Sequence, residues 1–197
     1  MKIEIVDQQC VYDGFFALNR FVLRHEYFDG GMSEPLVRER IDRARAAAVL
    51  LYDPTGDCVV LVEQFRVGVL DQQQSPWLLE CPAGMIEPGE KPEQVARREC
   101  VEEVGCEPVH VTQIGEYFVS PGGSSEKITL YYGEIDSTGL DGTLCGVAHE
   151  GEDIRVRVIS WCDVEQQLDE GTVSNATTLI ALQWLQISRL KNEAKNG

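Results

Sequence analysis

Three glutamates, Glu99, Glu102 and Glu103, crowd into five residues at the end of the stretch GMIEPGEKPEQVARRECVEEVGC (residues 84–106), which holds six glutamates in all. At 100° per residue on a helix, the three carboxylates share about 100° of arc. Like charges spaced i, i+3 and i+4 repel by a few tenths of a kcal/mol per pair. A solvated helix face normally interleaves lysine with its carboxylates. Here Arg97 and Arg98 precede the cluster and no base stands among the three glutamates. Two readings follow: a solvated face, or a set of hard oxygen donors that a divalent cation turns from repulsion to attraction. Mg²⁺ takes one or two carboxylates and completes its shell with water and phosphate oxygens. The helix taken alone leaves both open.

The elements that must position these residues are readable around them. Pro92 suits a first helical position, Glu93 the first turn, and Gly105 the residue past the end, so the spacing predicts a helix over 92–104. Ala96, Cys100 and Val104 recur every four residues and form its buried stripe. Upstream, residues 1–45 are rich in β-branched and aromatic residues with partial alternation, and Asp29-Gly30-Gly31 signals a turn. LVRERIDRARAAAVLL alternates apolar and charged residues and then becomes continuously apolar, which predicts one long strand entering a core. Asp53-Pro54-Thr55-Gly56-Asp57 is a turn, so the apolar runs on either side pair as a hairpin. Further strands are expected near 115–120, 127–132 and Ile154–Ser160, with helices over 164–169 and 176–191. The last helix carries too many apolar residues for a free tail. Strands, helix, strands and helices in that order indicate a mixed α/β (α+β) domain over 46–197, with an added N-terminal sheet over 1–45.

Composition narrows the function. The chain has 197 residues, 43% of them hydrophobic, with 17 Lys plus Arg against 33 Asp plus Glu, for a net charge of −16. A phosphate backbone needs a basic surface, so nucleic acid is not the expected partner. No run of about 18 apolar residues suggests a membrane span, and MKIEIVDQQC has no apolar core of a signal peptide. Seven cysteines, an odd number without a C-x-x-C pair, read as reduced thiols of a cytoplasmic protein. Three scattered histidines argue against a zinc site.

The residues flanking the cluster decide between the two readings. Gly84, Glu90, Arg98-Glu99, Glu102-Glu103 and Gly105 stand at the spacing G-x5-E-x7-R-E-U-x-E-E-x-G-U, where U is bulky and apolar. This resembles the Nudix box. All seven specified residues are present, and at roughly 1 in 15 each a chance match is on the order of 10⁻⁸ per position. Both U positions, Cys100 and Cys106, are cysteines, which are smaller than usual there. The resemblance implies the Nudix fold, a mixed β-sheet between helices, and a hydrolase that cleaves a nucleoside diphosphate linked to another group with Mg²⁺, for which Mn²⁺ can substitute. It implies metal ligation by Glu99 and Glu103, with Glu102 close by and the Ala83 carbonyl as a backbone ligand. Glu90 and Arg98 would form an internal ion pair that holds the loop to the helix.

The likeness continues beyond the box. SPGGSSE places Pro121 15 residues after Cys106. That segment, GFFALNRFVLRH, and HEGEDIRV with NATTLIALQWLQ resemble the ADP-ribose pyrophosphatase subfamily of dimeric bacterial enzymes. By itself the loop Glu150-Gly151-Glu152-Asp153 reads as a turn. Within the resemblance, Glu150 matches the general base and Glu152 a further metal ligand. Arg66 matches a residue facing the phosphates, and Met85, Ser120 and Glu126 match residues lining the ribose and diphosphate pocket. Phe15 or Phe16 matches an aromatic that packs on adenine from the other subunit of a homodimer whose N-terminal antiparallel β-sheets are exchanged. Where relatives read Arg-Arg-Glu, this chain reads Arg38-Glu39-Arg40, so either Arg38 or Arg40 is the arginine that reaches the neighbouring site. The implied reaction is hydrolysis of ADP-ribose to AMP and ribose 5-phosphate. The alternatives are another ADP-sugar or nucleotide sugar as substrate, or a Nudix module that binds nucleotide without cleaving it. The retention of every box glutamate disfavours the last.

Overall fold

Glycine, proline and charge place the breaks between strands, and apolar runs place the strands themselves, in the computed structural model of the chain. It describes residues 1–70, 72 and 75–196, with the backbone alone at Glu150 and Asn196. The chain divides into two compact units, Met1–Arg45 with Tyr117–Lys127, and Ala46–Glu116 with Ile128–Gly197.

The first unit is built on a three-stranded antiparallel sheet of β1 (Ile3–Asp13), β2 (Ala17–His25) and β3 (Leu36–Asp42), in the order β1-β2-β3. Phe21 and Asn19 are buried on β2, and Asn19 Nδ2 donates to Asp42 Oδ2 at 2.8 Å. Every residue of β1 is exposed, the apolar Ile3, Ile5, Val6, Val11 and Tyr12 among them. The segment 117–127 joins this unit at β3: Ile41 N donates to the Gly123 carbonyl at 2.8 Å, and Ser125 N to the Ile41 carbonyl at 3.1 Å.

The second unit is a mixed sheet with helices on both faces. Its strands are β4 (Ala46–Asp53), β5 (Cys58–Phe65), β6 (Trp77–Glu80), β7 (Ala83–Met85), β8 (Val111–Phe118), β9 (Lys127–Glu134), β10 (Leu144–Cys145) and β11 (Ile154–Ser160). They run in the order β10-β11-β5-β4-β9-β8, with β6 on β5 and β7 on β4. β4 and β9 pair in parallel, while β4–β5 is the antiparallel hairpin expected from the turn at Asp53–Asp57, closing at Asp53 opposite Cys58. The helices are α1 (Pro92–Val104), α2 (Trp161–Glu170) and α3 (Ala176–Asn196). Side chains alternate along β4. Ala47, Val49 and Leu51 join Val95, Ala96, Cys100 and Val104 of α1 in one core, together with Val60, Val62, Ile154 and Val156. The intervening Ala48, Leu50 and Tyr52 are also buried, and on this other side the Tyr132 ring lies 5.5 Å from Trp184 of α3.

One expectation fails. LVRERIDRARAAAVLL is two strands, β3 and β4, separated by residues 43–45. The polar half pairs with β2 and the apolar half with β5, β7 and β9, so the change in composition marks a change of sheet. The final helix runs on to Asn196, past the expected end at 191. Among the described residues no helix is long and apolar enough to cross a membrane.

Candidate active site

α1 presents its glutamates to two different environments because 3.6 residues per turn divide them. Glu99 and Glu103, one turn apart, lie on the buried side at 7% and 2% exposure, while Glu102 stays at the rim. The helix starts at Pro92, where Lys91 N donates to Gln94 Oε1 at 3.3 Å, and stops at Gly105, whose φ of 85° lies in the left-handed region. β7 passes directly over the buried carboxylates. Ala83 N donates to Glu103 Oε2 at 3.0 Å. A Cβ on Gly84 would stand 1.7 Å from Glu99 Oε1, so any side chain here would force Glu99 or the strand to shift.

Burial is the main force pushing Glu103 up, to about 8; the negative charges of Glu99 and Glu152 add to it, while the Ala83 amide and Arg66 pull it down. Those influences bring Glu99, Glu103, Glu152 and Arg66 into one electrostatic neighbourhood. Glu152 is held by its own loop: its Oε2 accepts from Val147 N at 3.0 Å, and Gly146 N ties that loop to the Glu102 carbonyl at 3.1 Å. Asp153 and Arg155 then line a cavity of about 420 Å³ with Glu63, Trp77 and Leu144. A larger cavity, about 800 Å³, lies against α3 between Tyr132, Trp184 and Arg189 and includes none of these carboxylates.

The two arginines near the glutamates are both engaged. Arg98 Nη1 lies 2.8 Å from Glu99 Oε1 and 2.7 Å from Glu102 Oε2, whereas its Nε is 3.8 Å from Glu90 Oε1. Arg98 thus supplies positive charge between Glu99 and Glu102, and Glu90 is its more distant partner. Glu90 Oε2 accepts from Glu87 N at 2.9 Å, closing the loop before α1. Arg66 donates to Glu80 Oε2 from Nε at 3.0 Å and from Nη2 at 2.7 Å. Among the described residues no three His, Cys, Asp or Glu side chains form a ready-made metal site. The donors do fit a hard divalent cation: two buried carboxylates side by side and a third close by carry an excess of negative charge that a cation would satisfy.

The remaining expected residues separate by unit. Met85, at the end of β7, belongs to the second unit with the glutamates and is half exposed. Phe15, Phe16, Arg40, Ser120 and Glu126 belong to the first unit. Phe15 is 83% exposed and meets Phe16 edge to face, with ring centres 4.7 Å apart. Arg40 pairs with Asp42 and stacks on Phe21, which commits its guanidinium. Arg38 is exposed on the same strand, with Nη1 donating to its neighbour's carbonyl. Glu126 pairs with Arg43 at 3.2 Å, and Arg43 also lies over the Phe16 ring. The Ser120 carbonyl accepts from Gly123 N and Ser124 N, shaping the SPGGSSE turn. The side chain of Glu150, the expected base, lies outside the described residues; its backbone is in a short 3-10 turn, Ala148–Glu150. Sequence reasoning missed Glu80, which holds Arg66, Asn175, which donates to Glu80, and Arg43. The available signal for Glu80 was a lone carboxylate ending the apolar run of β6.

Comparison with known proteins gives the chain's family. Residues 42–183 match the model of the NUDIX domain. The chain is 45% identical over 193 residues to an ADP-ribose pyrophosphatase of Escherichia coli K12, spanning 97% of this chain and 92% of that one. It is 44% identical over 189 residues to an ADP-ribose pyrophosphatase of Haemophilus influenzae, covering 94% and 87%. A GDP-mannose pyrophosphatase of Pectobacterium atrosepticum is 30% identical over 182 residues, covering 92% of each chain. A crystal structure of an ADP compounds hydrolase superposes with a TM-score of 0.71 over 98% of this chain and 96% of that one; at 21% identity it shares the fold.

Proposed function

The chain belongs to the NUDIX domain family, and from that premise we propose that it is an ADP-ribose diphosphatase, hydrolysing ADP-ribose with Mg²⁺ to AMP and ribose 5-phosphate. The observation that carries this reading is the buried Glu99–Glu103 pair with Glu152 beside it, in a chain 45% identical to an ADP-ribose pyrophosphatase along nearly its whole length.

Water adds to one phosphorus and the P–O–P bond to the other phosphate breaks, giving two phosphate monoesters and, above their second pKa of about 6, two protons. Glu99, Glu103, Glu152 and the Ala83 carbonyl would hold the metal, with Glu102 supporting them. When bound, Mg²⁺ supplies neutralisation of the diphosphate charge and acidification of water, and Mn²⁺ can substitute. Glu150 accepts the proton from the attacking water. It sits on a turn tied to α1 through Gly146 and Glu102, so it can approach the reacting water from outside the helix. Arg66 faces the diphosphate and opposes its charge. Met85, Ser120 and Glu126 line the ribose and diphosphate, and Phe15 or Phe16 of the other subunit packs on adenine.

We further propose a cytoplasmic homodimer in which residues 1–45 are the dimerisation region and exchange their sheets. The fully exposed β1, with Ile3, Ile5, Val6 and Tyr12 uncovered, supports this because a second copy would bury them. Seven free cysteines suit a reducing compartment. The GDP-mannose pyrophosphatase likeness, at 30%, keeps a second nucleotide sugar in view as substrate. Incubation with ADP-ribose and Mg²⁺ should give AMP. Comparison of kcat/KM for ADP-ribose, ADP-glucose and GDP-mannose should rank ADP-ribose first. No AMP with any divalent metal would end the proposal.

A further inference from the structure

Glu80 closes β6 inside the protein, 7% exposed, and is none of the metal donors or substrate contacts named above. Its two oxygens do different things. Oε2 accepts from Arg66 Nε at 3.0 Å and Nη2 at 2.7 Å, and Oε1 accepts from Asn175 Nδ2 at 3.0 Å. Asn175 is fixed in turn, because it stands before α3: its Oδ1 accepts from Thr178 N at 3.0 Å and its carbonyl from Leu179 N at 2.9 Å. Thr178 Oγ1 accepts from Cys81 N at 3.1 Å, so the residue after Glu80 is bound to the same turn of helix. A carboxylate with both oxygens engaged and its neighbour pinned has one orientation.

Arg66 needs such an anchor because other carboxylates bear on it. Glu103 and Glu152 both act on its guanidinium. Arginine next to a free carboxylate pairs with it, as Arg98 does with Glu99 and Glu102. An arginine that fell onto Glu103 or Glu152 would occupy oxygens that a divalent cation needs.

We propose that Glu80, oriented by Asn175, is a positioning residue that holds the Arg66 guanidinium away from Glu103 and Glu152, leaving those carboxylates to the metal and the guanidinium to the diphosphate. The second half of this statement rests on the reading of Arg66 as a diphosphate contact; the first half does not.

The test is a Mg²⁺ titration by calorimetry on the full chain without substrate. Glu80→Gln keeps the side-chain shape and removes the charge that holds Arg66. It should weaken Mg²⁺ binding about five- to tenfold. Adding Arg66→Met to that variant removes the competing cation and should return Mg²⁺ affinity at least to the wild-type level, which no general loss of structure would do. Asn175→Asp retains the acceptor for Thr178 N but sets a second carboxylate against Glu80. It should weaken Mg²⁺ binding severalfold, again with recovery on Arg66→Met, and it carries the test if Glu80→Gln does not fold. Unchanged Mg²⁺ affinity in the single variants, or loss that persists in the double variants, overturns the proposal. Absence of AMP from ADP-ribose with the wild-type protein would instead sink the substrate assignment and leave the titration readable.

Discussion

In the proposed site, Glu103 makes metal binding a proton-exchange reaction. Burial and the charges of Glu99 and Glu152 raise this carboxyl to about 8 in the metal-free fold. Only its ionised form can hold a cation, so proton and metal compete for it. At that value the group is about 9% ionised at pH 7, half ionised at pH 8 and about 90% ionised at pH 9. Apparent Mg²⁺ affinity should therefore climb about tenfold from pH 7 to pH 9. Calorimetric titration in two buffers of different ionisation enthalpy reads the released protons directly. The expected release is about 0.9 proton per Mg²⁺ at pH 7, about 0.5 at pH 8 and about 0.1 at pH 9.

The same linkage acts on folding, with the sign of a raised acid. The stability that neutral Glu103 allows is full below 4.5, the value of a free glutamate, and is lost as pH rises through about 8. The gap between those values, at 1.36 kcal/mol per pH unit, is on the order of 5 kcal/mol of destabilisation in the metal-free protein at alkaline pH. Glu103→Gln carries no such cost. In EDTA at pH 9 it should unfold at higher denaturant than the wild type, and it should no longer show the pH-dependent proton release. A Glu103→Gln protein no more stable than wild type at pH 9, together with Mg²⁺ binding that releases no proton at pH 7, would refute the reasoning.

Three other outcomes follow from single residues. Glu150→Gln should lower kcat for ADP-ribose by about 10²–10⁴ with Mg²⁺ binding retained; an unchanged kcat removes Glu150 from the mechanism. Gly84→Ala puts a methyl group 1.7 Å from Glu99 Oε1, so β7 or Glu99 must move. About 1–3 kcal/mol of stability should be lost in thermal unfolding, and Mg²⁺ affinity should fall with it. Asp53, 5% exposed, accepts from Thr55 N, Gly56 N, Ser137 N and Ser137 Oγ, and these bonds hold its carboxyl well below the usual carboxylate range. Asp53→Ala strands those donors and should cost about 3 kcal/mol. Wild-type stability from Asp53 is present above about pH 4 and falls away as acid protonates it, so the variant should show a flatter acid limb in denaturant unfolding.

What could be read from the chain was local and repeated in several ways at once. The helix 92–104 announced itself through Pro92, Gly105 and its apolar stripe, and the structure gives those signals their physical cause in Gly105's positive φ and the burial of Ala96, Cys100 and Val104. The glutamate spacing was legible for the same reason: one turn separates Glu99 from Glu103, and one small residue at 84 lets a strand cover both. What stayed hidden was pairing between distant segments. The switch from alternating to continuously apolar residues in LVRERIDRARAAAVLL was visible, but not that it marks a break between β3 and β4, because each half is a good strand and the partners decide the break. Glu80 looked like the end of an apolar run because its partners lie 14 and 95 residues away. Arg98 was legible only as a brace for Glu90, although the i, i+4 rule also points it at Glu102, where it is found.

A net charge of −16 looks ill-suited to an anionic diphosphate substrate, and the arrangement around α1 resolves the conflict. An acidic surface raises the local concentration of divalent cations and lowers that of phosphates. The protein's own positive charge near the glutamates is fixed in place: Arg98 is held between Glu99 and Glu102, and Arg66 is held by Glu80. The Arg98 guanidinium is committed to two carboxylates, whereas Glu80 keeps that of Arg66 off Glu103 and Glu152. A cation held by Glu99 and Glu103, as proposed, would change that balance, because Glu99 Oε1 is the oxygen that Arg98 contacts and Glu103 is among the carboxylates that bear on Arg66. Each carboxylate taken by metal weakens the claim on an arginine. In the proposed site a bound cation would add its own charge to that of Arg66 and loosen the hold of Glu99 on Arg98, and the acidity of the chain favours the order in which the cation comes first.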